Sequence, residues 1–233
     1  VGILVFTAVE ELDFAGPWEM LGMWSLVAGR PAPTLVAQTT QPVRCAKGLT
    51  VVPDHDFASC PELDVLVVPG GQGTRREVDN PALIEFIVQR APAAKAILSV
   101  CTGAFLLHKA GLLAGRSATT HWSSLERLRK FGDVRVVEER FVVDGPVWTS
   151  AGVSAGIDMA LEFIARQDGP QVAGKVQPDY EAIGKEVLKD AGTRLAQVAA
   201  SVTAAEAVVI AGAVGISVAV MYTAFSGMAR GSE

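Results

Sequence analysis

The chain has 233 residues, half of them hydrophobic and 19% charged, with a formal net charge of −5, a balance that fits one compact domain with a sizeable core. With 20 Lys and Arg against 25 Asp and Glu, and no basic block or arginine-rich arm, it carries no electrostatic footprint for nucleic acid, and none is expected as a partner. Three cysteines, Cys45, Cys60 and Cys101, form an odd set without CxxC spacing, which argues against a zinc knuckle and for free thiols in a reducing, cytoplasmic compartment.

The opening run VGILVF reads as a strand, and with no basic leader before it no secretory signal is expected. GPWEMLGMWSLVAG has helical spacing, with Pro17 placed near the helix start where proline is tolerated. PTLVAQTT is a strand, and PVRCAKGLTVVPD a small hairpin around Lys47-Gly48. LDVLVVPGGQGT is a buried strand ending in a glycine turn. PALIEFIVQRA is an amphipathic helix with Leu83, Ile84, Phe86 and Ile87 inward. KAILSV is another continuous apolar strand, followed by a helix over Thr102–Ala110. SATTHW reads as a strand, and SSLERLRKF as a helix capped by Ser123 or Ser124. VRVVEERFVVDGPVWTSAG gives antiparallel strands around Asp144-Gly145, and SAGIDMALEFIARQ a closing helix.

Wholly apolar strands separated by amphipathic helices indicate an α/β fold, doubly wound, with a mostly parallel sheet flanked by helices. This domain is assigned to residues 1–177 and an extra C-terminal helical extension to 178–233. Between Glu206 and Arg230 the extension has no charge, and its apolar segment, 207–229, is just over the ~20 residues that span a bilayer. Small residues recur there at Ala207, Ala211, Gly215, Ala219, Thr223 and Gly227. Two readings stand: a membrane anchor or intramembrane seam, and a buried or interface helix of a soluble protein.

Ligands of open parallel sheets gather beyond the strands' carboxyl ends. Cys101 is expected there, between a buried strand and the small-residue helix start Thr102-Gly103-Ala104, as in a nucleophile elbow. The helix N-terminus would favour its thiolate, and the Thr102 and Gly103 amides would hold developing negative charge. The alternative is a small buried hydrophobe at a strand end, the reading preferred for Cys45 and Cys60. Gly70 and Gly71 end the neighbouring strand and would let backbone amides approach a bound atom as an oxyanion cradle. Of the three histidines, His55 is placed in a surface loop and His108 points away from the cysteine. His121, at the end of SATTHW, is a pocket-wall or acid–base candidate. Asp13, between Leu12 and Phe14 just before the first helix, is the acidic candidate: desolvation raises its pKa and lets it exchange a proton with the thiol. Its alternative role is a helix cap.

The segments LDFAGPWEML, LDVLVVPGGQGT, SVCTGAFLLHKAGLLAGRSATTHW and WTSAGVSAGIDMAL, in this order and spacing, resemble the ThiJ/PfpI superfamily, and within it isonitrile hydratases. The resemblance runs from Val1 to about Gln177 and implies a flavodoxin-like, class I glutamine-amidotransferase-like fold. It implies Cys101 as nucleophile, Asp13 as its acid–base partner, Thr102 beside the nucleophile, and the Gly71 and Thr102 amides facing the substrate. The implied reaction adds water to an isonitrile, giving an N-substituted formamide, with no metal and no organic cofactor, in a homodimer. Ser150 and Ala151 replace a more glycine-rich turn of the hydratases, which bears on pocket width, and the tail after Gln177 departs from the family. Threonine at 102, where peptidase and chaperone-type members carry histidine, speaks against a Cys-His peptidase. Two other readings are a non-catalytic amidotransferase-like sensor domain and a glyoxalase or deglycase-type thiol stress protein, for which Glu19 is the residue to watch.

Overall fold

A computed structural model describes residues 1–177; the extension, with its apolar segment and both readings of it, lies outside the described residues. Strand β1 (Gly2–Leu4) leads to helix α1 (Glu11–Ala28), then to β2 (Thr34–Ala37), the pair β3 (Val43–Arg44) and β4 (Thr50–Val51), and β5 (His55–Asp56). Next come β6 (Val65–Val68), α2 (Thr74–Glu77), α3 (Pro81–Arg90), β7 (Ala96–Val100) and α4 (Gly103–Lys109). β8 (Ser117–Ala118), a 3-10 turn (Trp122–Ser124), α5 (Leu125–Arg129), β9 (Arg135–Val136), β10 (Phe141–Asp144), β11 (Val147–Ser150) and α6 (Ser154–Asp168) complete the described part.

The central sheet has seven strands in the order β10-β11-β7-β6-β1-β2-β5. Every neighbouring pair is parallel except β10 with β11. From β1 the chain moves out through β2 to β5, then returns to β1's other side for β6, β7 and β11, so the strand order reverses between β1 and β6. That reversal opens a crevice above their carboxyl ends. β6 and β7 are buried at every residue and, apart from Ser99 in β7, apolar, as strands with both sheet faces covered require.

Helix α1 packs against α6, and α4 against α2 and α3. Gly16 makes the first contact close, since a Cβ there would come within 2.8 Å of Ile157, while Gly156 brings α6 against β7, where a Cβ would lie 2.9 Å from Val100. At the far end Trp24 Nε1 donates to Asp168 Oδ2 at 2.7 Å, and Arg30 pairs with the same carboxylate. α3 follows the sequence expectation: Asn80 caps it by accepting from the Ala82 and Leu83 N–H groups, Pro81 follows the cap, and Leu83, Phe86 and Ile87 are buried, with Ile84 partly so.

Four local expectations are corrected. α1 starts at Glu11, so Pro17 lies inside it and Asp13 belongs to its first turn. Pro17 removes the N–H that would have reached the Asp13 carbonyl four residues back. SATTHW contributes just Ser117 and Ala118 as strand, paired with β9 outside the main sheet. His55 lies in the short strand β5 beside Val36 and not in a loop. Neither Ser123 nor Ser124 supplies a side-chain cap: His121 accepts the Ser123 N–H, and α5 has no side-chain cap bond.

Candidate active site

Cys101 follows β7 directly, with φ +56°, a left-handed conformation that is strained for a residue bearing a Cβ. Two contacts pin it: its N–H donates to Ser150 O at 3.0 Å, and its carbonyl accepts from Thr120 Oγ1 at 2.8 Å. The residue is 8% exposed. Gly152, with φ +115°, packs onto it so closely that a Cβ would sit 2.9 Å from Cys101 Cβ and 3.3 Å from Sγ. β7 thus supplies the thiol, and the turn after β11 forms its other wall.

Asp13 reaches the same point from α1. It is fully buried. Oδ1 accepts the Val153 N–H at 2.8 Å. Oδ2 is buried without a hydrogen-bond partner among the described residues, and the Cys101 thiol and the Gly70 N–H both bear on the carboxyl group. Gly70 must lack a side chain for this meeting, since a Cβ there would lie 2.6 Å from Thr102 N and 2.9 Å from Asp13 Oδ2.

Burial lifts the Asp13 carboxyl from its ordinary 3.8 to about 6; the Val153 N–H and the Cys101 thiol hold it down, while the charge of Glu10 pushes it up. Burial pushes the Cys101 thiol up to about 12, and the Asp13 carboxylate adds to the rise. The Thr102 N–H and hydroxyl act the other way and are outweighed. This departs from the expected stabilised thiolate, because burial and a facing carboxylate exceed what the start of a seven-residue helix supplies. At neutral pH the pair rests as a thiol against a mostly ionised carboxylate, arranged for proton transfer when sulfur bonds to carbon.

The remaining expected residues divide. Thr102 stands beside the nucleophile: its Oγ1 accepts the Gly71 N–H at 3.0 Å and lies 3.1 Å from Thr74 Oγ1, which donates to the Gly71 carbonyl at 2.8 Å. The Gly71 N–H is therefore spent on Thr102 and does not face a substrate, contrary to expectation. Gly71, with φ +120°, is needed for the turn itself, where a Cβ would meet the Ala8 and Val9 backbone. Gly103 serves close packing, since a Cβ would collide with the Val68 carbonyl. Ser150 is buried and donates its hydroxyl to Ser99 O at 3.2 Å, so its side chain is turned into the sheet. His121 Nδ1 lies 2.8 Å from Ser123 Oγ, and among the described residues no hydrogen bond joins it to Cys101 or Asp13. His108 is stacked on Phe131 and paired with Asp133 at 2.9 Å. Glu19 is on the solvent side of α1.

Sequence reasoning missed Val153, Gly152, Thr74 and Thr120. Val153 has φ +49°, unusual for a β-branched residue. Its contribution is a backbone N–H, so no side chain signals it. The other two cysteines are buried with raised thiols, Cys45 to about 11, and the causes of their shifts include no hydrogen bond to a carboxylate. Among the described residues no group of three or more His, Cys, Asp and Glu is arranged to hold a metal.

Isonitrile hydratase of Pseudomonas putida is 38% identical over 181 residues, 78% of this chain and 77% of that protein. The HTH-type transcriptional regulator CdhR of Pseudomonas aeruginosa is 34% identical over 140 residues, 60% of this chain but 41% of the regulator. The crystal structure of a ThiJ/PfpI family protein from Pseudomonas syringae superposes with a TM-score of 0.72 at 35% identity, covering 78% of this chain and 74% of that one. The DJ-1/PfpI family signature matches residues 1–166, and the chain belongs to that family.

Proposed function

We propose that this protein hydrates isonitriles to N-substituted formamides, with Cys101 as nucleophile and Asp13 as the acid–base group. The observation that carries the reading is the contact of the Cys101 thiol with a buried carboxyl group at a strained strand-to-helix turn. The similarity to an isonitrile hydratase supports it.

In the proposed sequence Asp13 takes the thiol proton as sulfur bonds to the terminal carbon of R–N≡C, and returns that proton to the same carbon. The product is the thioimidate Cys–S–CH=N–R. Asp13 then draws a proton from water as its oxygen adds to the carbon and passes that proton to nitrogen, giving Cys–S–CH(OH)–NH–R. Collapse of this tetrahedral adduct breaks the C–S bond as Asp13 carries the hydroxyl proton to sulfur, freeing R–NH–CHO. One water is consumed and no electrons are exchanged. The Thr102 N–H and hydroxyl, which favour the thiolate, steady the negative charge of the sulfur during attack and departure.

The test incubates the purified protein with cyclohexyl isonitrile and measures N-cyclohexylformamide, with Cys101→Ala and Asp13→Asn in parallel. Formamide from wild type alone supports the reading. Full turnover by Cys101→Ala would overturn the assigned nucleophile. No turnover by wild type, with methylglyoxal consumed instead, would transfer the site to glyoxalase-type chemistry; inertness toward both would leave a ligand-sensing role.

A further inference from the structure

A second concavity lies beyond the carboxyl ends of β1 and β2, with a volume of about 380 Å³. Cys101, Asp13, Thr102 and the Gly70-Gly71 turn do not line it. Its floor is apolar and buried, with Phe6 and Leu83 contributing, while Thr7, Gln38, Thr39 and Arg76 stand exposed around it. The volume is at the small end of the ~300 to 1,000 Å³ usual for ligand sites.

The charges in the wall cancel. Glu77 is 4% exposed. Its Oε1 accepts Arg76 Nε at 2.9 Å and its Oε2 accepts Asn80 Nδ2 at 2.7 Å. Asn80 Nδ2 also donates to Gln38 Oε1 at 3.0 Å, which fixes the Gln38 amide with its nitrogen as the remaining donor. An anion entering here meets the buried carboxylate, and a cation meets the guanidinium, so both lose on desolvation. Among the described residues, Gln38 Nε2, Arg76 Nη1 and the hydroxyls of Thr7 and Thr39 make no hydrogen bond. N–H donors seek a carbonyl oxygen, and hydroxyls can accept an amide N–H.

We propose that this cavity is a second ligand site, selective for a small uncharged carboxamide whose apolar end rests on Phe6 and Leu83. The site does not depend on the reaction assigned to Cys101.

The experiment is a titration of the ¹⁵N-labelled full chain with N-methylacetamide, followed by backbone amide shifts, with acetate and methylammonium as charged counterparts. Saturable shifts at Thr7, Gln38, Thr39, Arg76 and Asn80, with Thr102 and Val153 unmoved, are expected for the amide alone. Thr39→Trp, a change at an exposed position, should block the mouth and abolish them, and Gln38→Phe gives an independent block. Shifts that stay linear, that survive both substitutions, that centre on Thr102 and Val153, or that acetate or methylammonium reproduces would overturn the proposal.

Discussion

Val153 donates its backbone N–H to Asp13 Oδ1 at 2.8 Å, joining the start of α6 to the first turn of α1 across 140 residues. One carboxylate oxygen is thereby held by the fold, which leaves the other side of the group for the thiol.

Asp13→Asn keeps an oxygen that can accept from Val153 and removes the proton acceptor. Isonitrile turnover is expected to fall by about 10²- to 10⁴-fold, the usual worth of a general acid–base group. The melting temperature at neutral pH should not fall, because the neutral amide escapes the cost of burying a charge. Steady-state kinetics beside thermal denaturation separate the two effects, and an equal loss of both would assign Asp13 a purely structural role.

Asp13 also sets a pH dependence of stability. Its folded-state value of about 6 lies above the ordinary 3.8, so between those values the folded chain binds more protons than the unfolded one. Its contribution is therefore fully present below pH ~4 and lost as pH rises through ~6, a span of about 3 kcal/mol from about two pKa units. Urea denaturation between those limits should show this slope in wild type and a flatter one in Asp13→Asn. Turnover runs the opposite way, rising with pH through ~6 as the base ionises.

The same substitution acts on the sulfur. Removing the carboxylate charge that raises the thiol should lower the Cys101 value from about 12. Alkylation by iodoacetamide at about pH 9 should then speed up severalfold, because the thiolate is the reacting form. Peptide mass mapping distinguishes Cys101 from Cys45 and Cys60, whose thiols are also raised. A slower Cys101 in the variant would contradict the assigned contact.

Two glycines give opposite outcomes. Gly70→Ala places a methyl group 2.6 Å from Thr102 N and 2.9 Å from Asp13 Oδ2, so the two sides of the site must separate. Turnover should drop about 10²-fold or more, as it does when reacting groups are displaced by an ångström. Gly22→Ala, in α1 with nothing within 4 Å of the added carbon, should raise stability by about 0.5–1 kcal/mol. Chemical denaturation of both variants checks the contrast.

What the sequence disclosed follows from how local the cause is. β6 and β7 were legible because a strand covered on both faces has to be apolar at nearly every position, Ser99 being the exception in β7, and the elbow followed from a cysteine between such a strand and small residues. SATTHW misled because its polar groups are satisfied by neighbours and not by a ladder: the Thr119 N–H donates to Thr149 Oγ1, and Thr120 Oγ1 to the Cys101 carbonyl. Asp13 was found, but its anchor is the N–H of a valine far along the chain, invisible to any residue-type pattern. The state of the thiol was misjudged for a related reason. A helix start can be read from sequence, whereas the depth at which the sulfur lies cannot.

The main sheet finishes on β5, two residues long, at one side and on β10 at the other, where the Asp144 carboxylate takes the Ser117 N–H at 2.8 Å and its carbonyl takes Arg116 Nη1 at 3.1 Å. Neither flank offers a long row of free peptide groups to a foreign strand. Lateral growth into fibrils is thus discouraged at both margins.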